Sequence, residues 1–243
     1  VNRLPDRRQF ALVIPWTLHA ASSHVTKNSL VVDGQPRDYF LFVPEGLTSP
    51  APLLVLFHGS GHDGWSLIEP WKKLAEQEGI VLVGPNARNS AEWSTPMDGP
   101  KFVIEVIEAV KKANPINPRR VYLFGHSAGA EFALMMSLLA PEYFAAASAH
   151  AGVFRESPPP SMFEDAKRKI PILLLVGTEE RVYPVPLVRT MRDLFAKNGF
   201  PVEIEEIPGH DHNYYAAAAR INRDVWNFLK EKQLAADPRS DAR

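Results

Sequence analysis

The pentapeptide Gly125-His126-Ser127-Ala128-Gly129 has the form G-x-S-x-G and joins a β-prone run at 120–124 to a helical run at 130–139. A serine on a tight strand-to-helix turn presents its hydroxyl at the turn's apex. Ser127 is expected to hold strained backbone angles, and a side chain at Gly125 or Gly129 is expected to clash. The plain alternative is a structural turn. A serine hydroxyl is a poor nucleophile until a base takes its proton. The base should be a histidine oriented by an acid, in the chain order serine, acid, histidine. After Ser127 come His150, His210 and His212. His150 closes an apolar run before any acid-bearing loop. His212, in the segment 208–215 after the last strand-like run, is the expected base. His210 is then a loop residue bonded to its neighbours, and Asp211 a helix cap.

The acid should follow the apolar run 172–176, where the loop reads Gly177-Thr178-Glu179-Glu180. Glu180 is favoured by position, and Glu179 is then solvated or a loop anchor. A tetrahedral oxyanion needs N–H donors. One is Ala128, after the serine and at a helix start. The other should come from His58-Gly59-Ser60-Gly61, with Ser60 the first choice and Gly61 the second. His58 reads as a structural hydrogen-bonding group. His62 and Asp63 have no metal-ligand spacing around them, so no metal and no cofactor is expected.

The elements that must carry these groups are visible as periodicities. Runs at 25–32 and 37–43 flank the turn signal Asp33-Gly34 and read as an antiparallel hairpin. Runs at 52–57, 80–83, 120–124, 144–150, 172–176 and 202–207 read as strands. The first of these is continuously apolar, as a strand covered on both faces is. Helical stretches at 66–78, 101–113, 130–139, 186–198 and 214–233 alternate with them. Gly79 and Gly199 read as helix stops, as does the segment 114–118. Residues 152–169 read as an irregular excursion. Strands alternating with helices after a hairpin predict an α/β protein: a mostly parallel twisted sheet with helices on both faces. One domain is expected over 25–234, with a polar tail at 235–243.

Composition narrows the classes. Of 243 residues 45% are hydrophobic and 23% charged, and the net charge is −1. No electrostatic case exists for nucleic acid or an anionic membrane, and no run is long enough to span a bilayer. Cysteine is absent, which removes disulfides and thiol chemistry. Residues 1–24 read as an N-terminal extension or an export signal, with Arg7-Arg8 before a short apolar run. The pattern narrowly favours a secreted or periplasmic location.

Substrate contacts are expected from loops at the carboxyl ends of the strands, at 63–67, 86–97 and 152–162. Trp93, Met97, Phe154 and Met162 are candidates there, and His126 beside the serine is counted with them. The segments 37–39 leading to Val43-Pro44, 53–61, 117–122 before the pentapeptide, 177–180 and 209–215 together resemble α/β-hydrolase serine esterases. That group includes polyhydroxybutyrate depolymerase-like, feruloyl esterase-like and phospholipase/carboxylesterase-type proteins. Residues 211–215 are also similar to the Asp-His-Ser-Tyr-Tyr segment of S-formylglutathione hydrolases, whose histidine is the base, and this supports His212. The resemblance implies a serine carboxylester hydrolase acting on a small-molecule ester. A serine peptidase or thioesterase, and a non-catalytic binding module, are the alternatives. Relatives mostly carry aspartate where Glu180 stands, and Ala130 replaces a second glycine. The absence of disulfides and of an added binding domain points away from an insoluble polymer.

Overall fold

The computed structural model describes residues 24–47 and 49–235. Apart from His24 and Ala235, the expected N-terminal extension and polar tail lie outside the described residues. Among the described residues eight strands form one sheet: β1 (Thr26–Val32), β2 (Gln35–Phe42), β3 (Ala51–Phe57), β4 (Val81–Pro85), β5 (Ile116–His126), β6 (Ala146–His150), β7 (Ile172–Gly177) and β8 (Val202–Ile207). The helices are α1 (Gly64–Glu78), α2 (Thr95–Asp98), α3 (Pro100–Ala113), α4 (Ala128–Leu139), α5 (Pro160–Asp165), α6 (Val185–Lys197) and α7 (Tyr214–Leu229). The strand order is β1-β2-β4-β3-β5-β6-β7-β8. β1 and β2 pair antiparallel around Asp33-Gly34, β2 pairs antiparallel with β4, and the remaining pairs are parallel.

Alternation along the buried strands builds two apolar layers. Leu53, Val55 and Phe57 of β3 face one side and pack with residues of α3, α4, α5 and α6. Leu54 and Leu56 face the other and pack with Leu67, Ile68 and Trp71 of α1 and Ile221, Val225 and Trp226 of α7. All of β3 is buried, as its unbroken apolar run requires when both faces are covered. The carboxyl ends of the parallel strands therefore emerge together between the two helical layers, where loops can converge.

Three local readings are corrected. The segment 114–118 does not simply stop a helix. β5 begins at Ile116, and its ladder with β3 jumps from Ala51↔Ile116 to Leu53↔Val121. Asn117 to Arg120 bulge out opposite Pro52, since Pro118 has no N–H for the ladder. The loop expected at 86–97 runs into the short α2, and the 152–169 excursion contains the short α5.

Candidate active site

Ser127 joins β5 to α4 with φ 55° and ψ −122°, a backbone that costs an L-residue on the order of 1–3 kcal/mol. The surrounding packing holds that strain. A Cβ on Gly125 would lie 2.0 Å from the Gly129 carbonyl oxygen, and one on Gly129 would lie 1.9 Å from that of Phe57. The Ser127 N–H donates to the His150 carbonyl at 3.0 Å.

Two loops bring partners to the hydroxyl. Ser127 Oγ lies 3.0 Å from His212 Nε2, and His212 Nδ1 lies 2.7 Å from Glu180 Oε2. With Nδ1–H donating to the carboxylate, Nε2 is left to accept the serine proton. Glu180 follows β7 and its side chain is fully buried. Its Oε1 accepts the N–H groups of Val182 at 2.6 Å and Tyr183 at 3.2 Å. Those donors compensate a charge that burial alone would penalise. Glu179 is exposed, and its N–H donates to the His210 carbonyl at 2.9 Å. It ties the loop after β7 to the loop after β8. The Tyr183 ring lies nearly parallel to that of His212, 6.2 Å away.

The 58–61 loop runs against the serine. A Cβ on Gly59 would lie 3.5 Å from Ser127 Cβ. His58 Nε2 accepts the Ala87 N–H at 3.2 Å, which leaves Nδ1–H to donate to the Gly59 carbonyl at 2.9 Å. Burial holds the His58 pKa below its ordinary value, and only the neutral ring can accept and donate at once. The His58 carbonyl accepts the Trp93 indole N–H at 2.9 Å. Gly61 N–H is committed to the Ser90 carbonyl at 2.7 Å. Ser60 N–H has no protein acceptor among the described residues. Ala128 opens α4, so intrahelical bonding leaves its N–H free. The amides of Ser60 and Ala128 are thus the available pair, and Gly61 is not.

Cavities border Ala128 and His212, the neighbours of the serine. One of about 240 Å3 includes Ala128, Trp93, Glu131, Phe132 and Met135 in its lining. Glu131 and Met135 also line a second of about 400 Å3, together with Phe154, Arg155 and Met162. Beside His212 a third of about 280 Å3 is bounded by Glu179, Arg181, Val182 and Asp211. Trp93, Phe154 and Met162 therefore stand at cavities. Met97 is 47% exposed and lines none of these three, and its carbonyl accepts from Arg37 at 2.6 Å. His126 is buried and borders none of the three either. Its Nδ1 lies 3.0 Å from His150 Nδ1. Burial, with His212 nearby, pushes its pKa down to about 3. Among the described residues no group of His, Asp or Glu is arranged to hold a metal ion.

Sequence reasoning missed Glu131 and the Arg37–Asp98 pair. Glu131 lies four residues after Ser127 on a helix, a spacing that repeats a face. Burial raises its pKa while Arg155 opposes the shift. Arg37 and Asp98 form a buried ion pair at 2.6 Å. Arg37 also donates to the Asn86 carbonyl at 3.1 Å. Asp98 accepts the N–H groups of Arg88 and Ser94, each at 2.9 Å. The pair pins the 86–98 loop that carries Trp93. No local signal marks residues so distant in sequence.

Comparison with known proteins agrees with this architecture. Residues 93–236 match the family described as Dienelactone hydrolase family. The chain is 32% identical over 158 residues to a bifunctional acetylxylan esterase/xylanase of Neocallimastix patriciarum, covering 61% of this chain and 22% of that protein. It is 31% identical over 126 residues to poly(3-hydroxyalkanoate) depolymerase C of Paucimonas lemoignei, covering 46% of this chain and 30% of that protein. It thus spans less than a third of the length of either curated relative. An S-formylglutathione hydrolase from Staphylococcus aureus superposes with a TM-score of 0.71 at 17% identity, covering 85% of this chain and 98% of that one. At that identity the likeness shows the α/β-hydrolase fold.

Proposed function

Because the chain belongs to the dienelactone hydrolase family, we propose that it is a serine carboxylester hydrolase working through an acyl-enzyme on Ser127. The observation that carries this reading is the hydrogen-bonded line from Glu180 through His212 to a strained serine. The acetylxylan esterase among its relatives supports it.

Ser127 Oγ attacks the ester carbonyl carbon as His212 Nε2 takes its proton. The carbonyl π electrons move to oxygen, and the oxyanion is received by the N–H groups of Ser60 and Ala128. Glu180 holds His212 in the required tautomer and stabilises its imidazolium. The C–O bond to the alcohol breaks, and the alcohol leaves with the proton from His212. Water then attacks the acyl-enzyme, gives its proton to His212, and the acid departs as Ser127 recovers its hydrogen. The substrate is a small-molecule ester. One part of the ester is received beside Ala128, in the cavity of about 240 Å3.

The test is a panel of p-nitrophenyl esters of rising acyl length, with acetylated xylooligosaccharides and 3-hydroxyalkanoate esters added for the relatives' printed activities. The expected outcome is turnover of p-nitrophenyl esters, a loss of at least about 10⁴-fold in Ser127→Ala, and labelling of the wild type at Ser127 by a fluorophosphonate. Activity that survives Ser127→Ala overturns the mechanism. Amide or thioester turnover far above that of a matched ester overturns the bond assigned.

A further inference from the structure

The proposed reaction uses His212 and leaves three buried histidines beside it unemployed. His126 ends β5, His150 ends β6, and His210 stands in the loop after β8. Their rings form one hydrogen-bonded line. His150 Nδ1 lies 3.0 Å from His126 Nδ1, and His150 Nε2 lies 3.1 Å from His210 Nε2. Each link needs one donor and one acceptor, so a neutral imidazole at position 150 donates through one nitrogen and accepts through the other. Burial favours that neutral form at all three sites.

The line crosses a strand. β7 lies between β6 and β8 in the sheet, and the His210 loop must pass over its end. A Cβ on Gly177, the last residue of β7, would stand 1.9 Å from the His210 carbonyl oxygen. Glycine there permits the crossing. The backbone of His150 acts on the other partner, since its carbonyl accepts the Ser127 N–H at 3.0 Å. One fully buried residue therefore holds the serine's turn through its carbonyl and the His212 loop through its ring.

We infer that His150 is a positioning residue: through His210 it sets the loop that places His212 against Ser127 and Glu180. This rests on the esterase reading for its kinetic consequence but not for its structural one. The contacts differ from core filling in a testable way. An asparagine amide reaches about where Nδ1 sits, and a glutamine amide about where Nε2 sits. His150→Gln keeps the bond to His210, whereas His150→Asn keeps the bond to His126 and leaves His210 Nε2 unpartnered.

The experiment compares the two variants in the full chain. On a short p-nitrophenyl ester, His150→Asn should lose about 30-fold in kcat with KM within about twofold, and His150→Gln should stay within about threefold in both. Hydrogen exchange of amides 209–215 supplies a readout that needs no turnover. Protection there should fall about tenfold or more in His150→Asn and hold in His150→Gln. Equal protection in the two variants overturns the inference, as does an Asn variant that matches Gln in kcat. If the wild type hydrolyses no ester, the functional reading fails on its own, and the exchange comparison still decides the role of His150.

Discussion

A carboxylate proposed to orient a histidine has to be enclosed and in contact with it. Glu180 meets these conditions: its side chain is fully buried, two backbone N–H groups hold Oε1, and Oε2 lies 2.7 Å from His212 Nδ1. Glu179 turns outward and contributes its backbone N–H. Glu180→Gln keeps the shape and removes the charge that stabilises the imidazolium. It should lower kcat by about 10²–10⁴-fold. Glu179→Gln should stay within about threefold of wild type, because no side-chain contact is lost. Steady-state kinetics on one short ester decides between them. An inverted result moves the acid to Glu179.

At the scale of elements, the site depends on how closely a helix and a loop approach the carboxyl ends of the strands. The Cβ that Gly129→Ala adds to α4 would stand 1.9 Å from the Phe57 carbonyl of β3. Backbone on both sides leaves no flexible side chain to yield. The variant should lose roughly 3 kcal/mol, measured as a lower urea midpoint at unchanged slope. Gly34→Ala is the control. Gly34 has φ 74° but nothing within 4 Å of an added Cβ. It should cost about 1–2 kcal/mol, from the left-handed conformation alone. Gly129 lies in α4 without a positive φ, so losses no larger than that of Gly34→Ala would mean that the backbone yields to the added Cβ.

Across the whole molecule, buried charge and buried histidine set how stability responds to change. Arg37 on β2 reaches Asp98 at the end of α2, and the side chains are 6% and 1% exposed. Asp98→Asn leaves the guanidinium buried without its counter-charge and should cost about 3–5 kcal/mol in urea denaturation. The histidines act through pH. His126, faced by His150, His212, Tyr214 and Tyr215, has its pKa pushed down to about 3 by burial. His58, His150 and His210 are lowered for the same first cause. An unfolded chain protonates them near pH 6.5, so between there and about pH 3 it binds more protons than the native one. The native state is therefore destabilised as pH falls through that window. The slope is about 1.4 kcal/mol per pH unit for each histidine kept neutral. Urea midpoints at pH 7.5 and pH 5 should differ by more than one such histidine accounts for. A flat profile would refute neutral burial.

What the residues determined alone was local, apart from the short α2 and α5 and the early start of β5. Apolar alternation and helical spacing marked the strands and helices to within a few residues, because those periods come from neighbours in the chain. Gly125, Ser127 and Gly129 showed their turn, and the order of serine, acid and histidine narrowed the partners. The tertiary structure alone decided which of two adjacent glutamates points inward, since side-chain direction in a loop has no period. It also decided that Gly61 binds Ser90 while Ser60 stays available. It placed His126 in a buried line rather than at a cavity, and it joined Arg37 to Asp98. Each of these depends on which strand ends are neighbours. The sheet order β1-β2-β4-β3-β5-β6-β7-β8 departs from chain order, so contacts across those ends exist only once the sheet has formed.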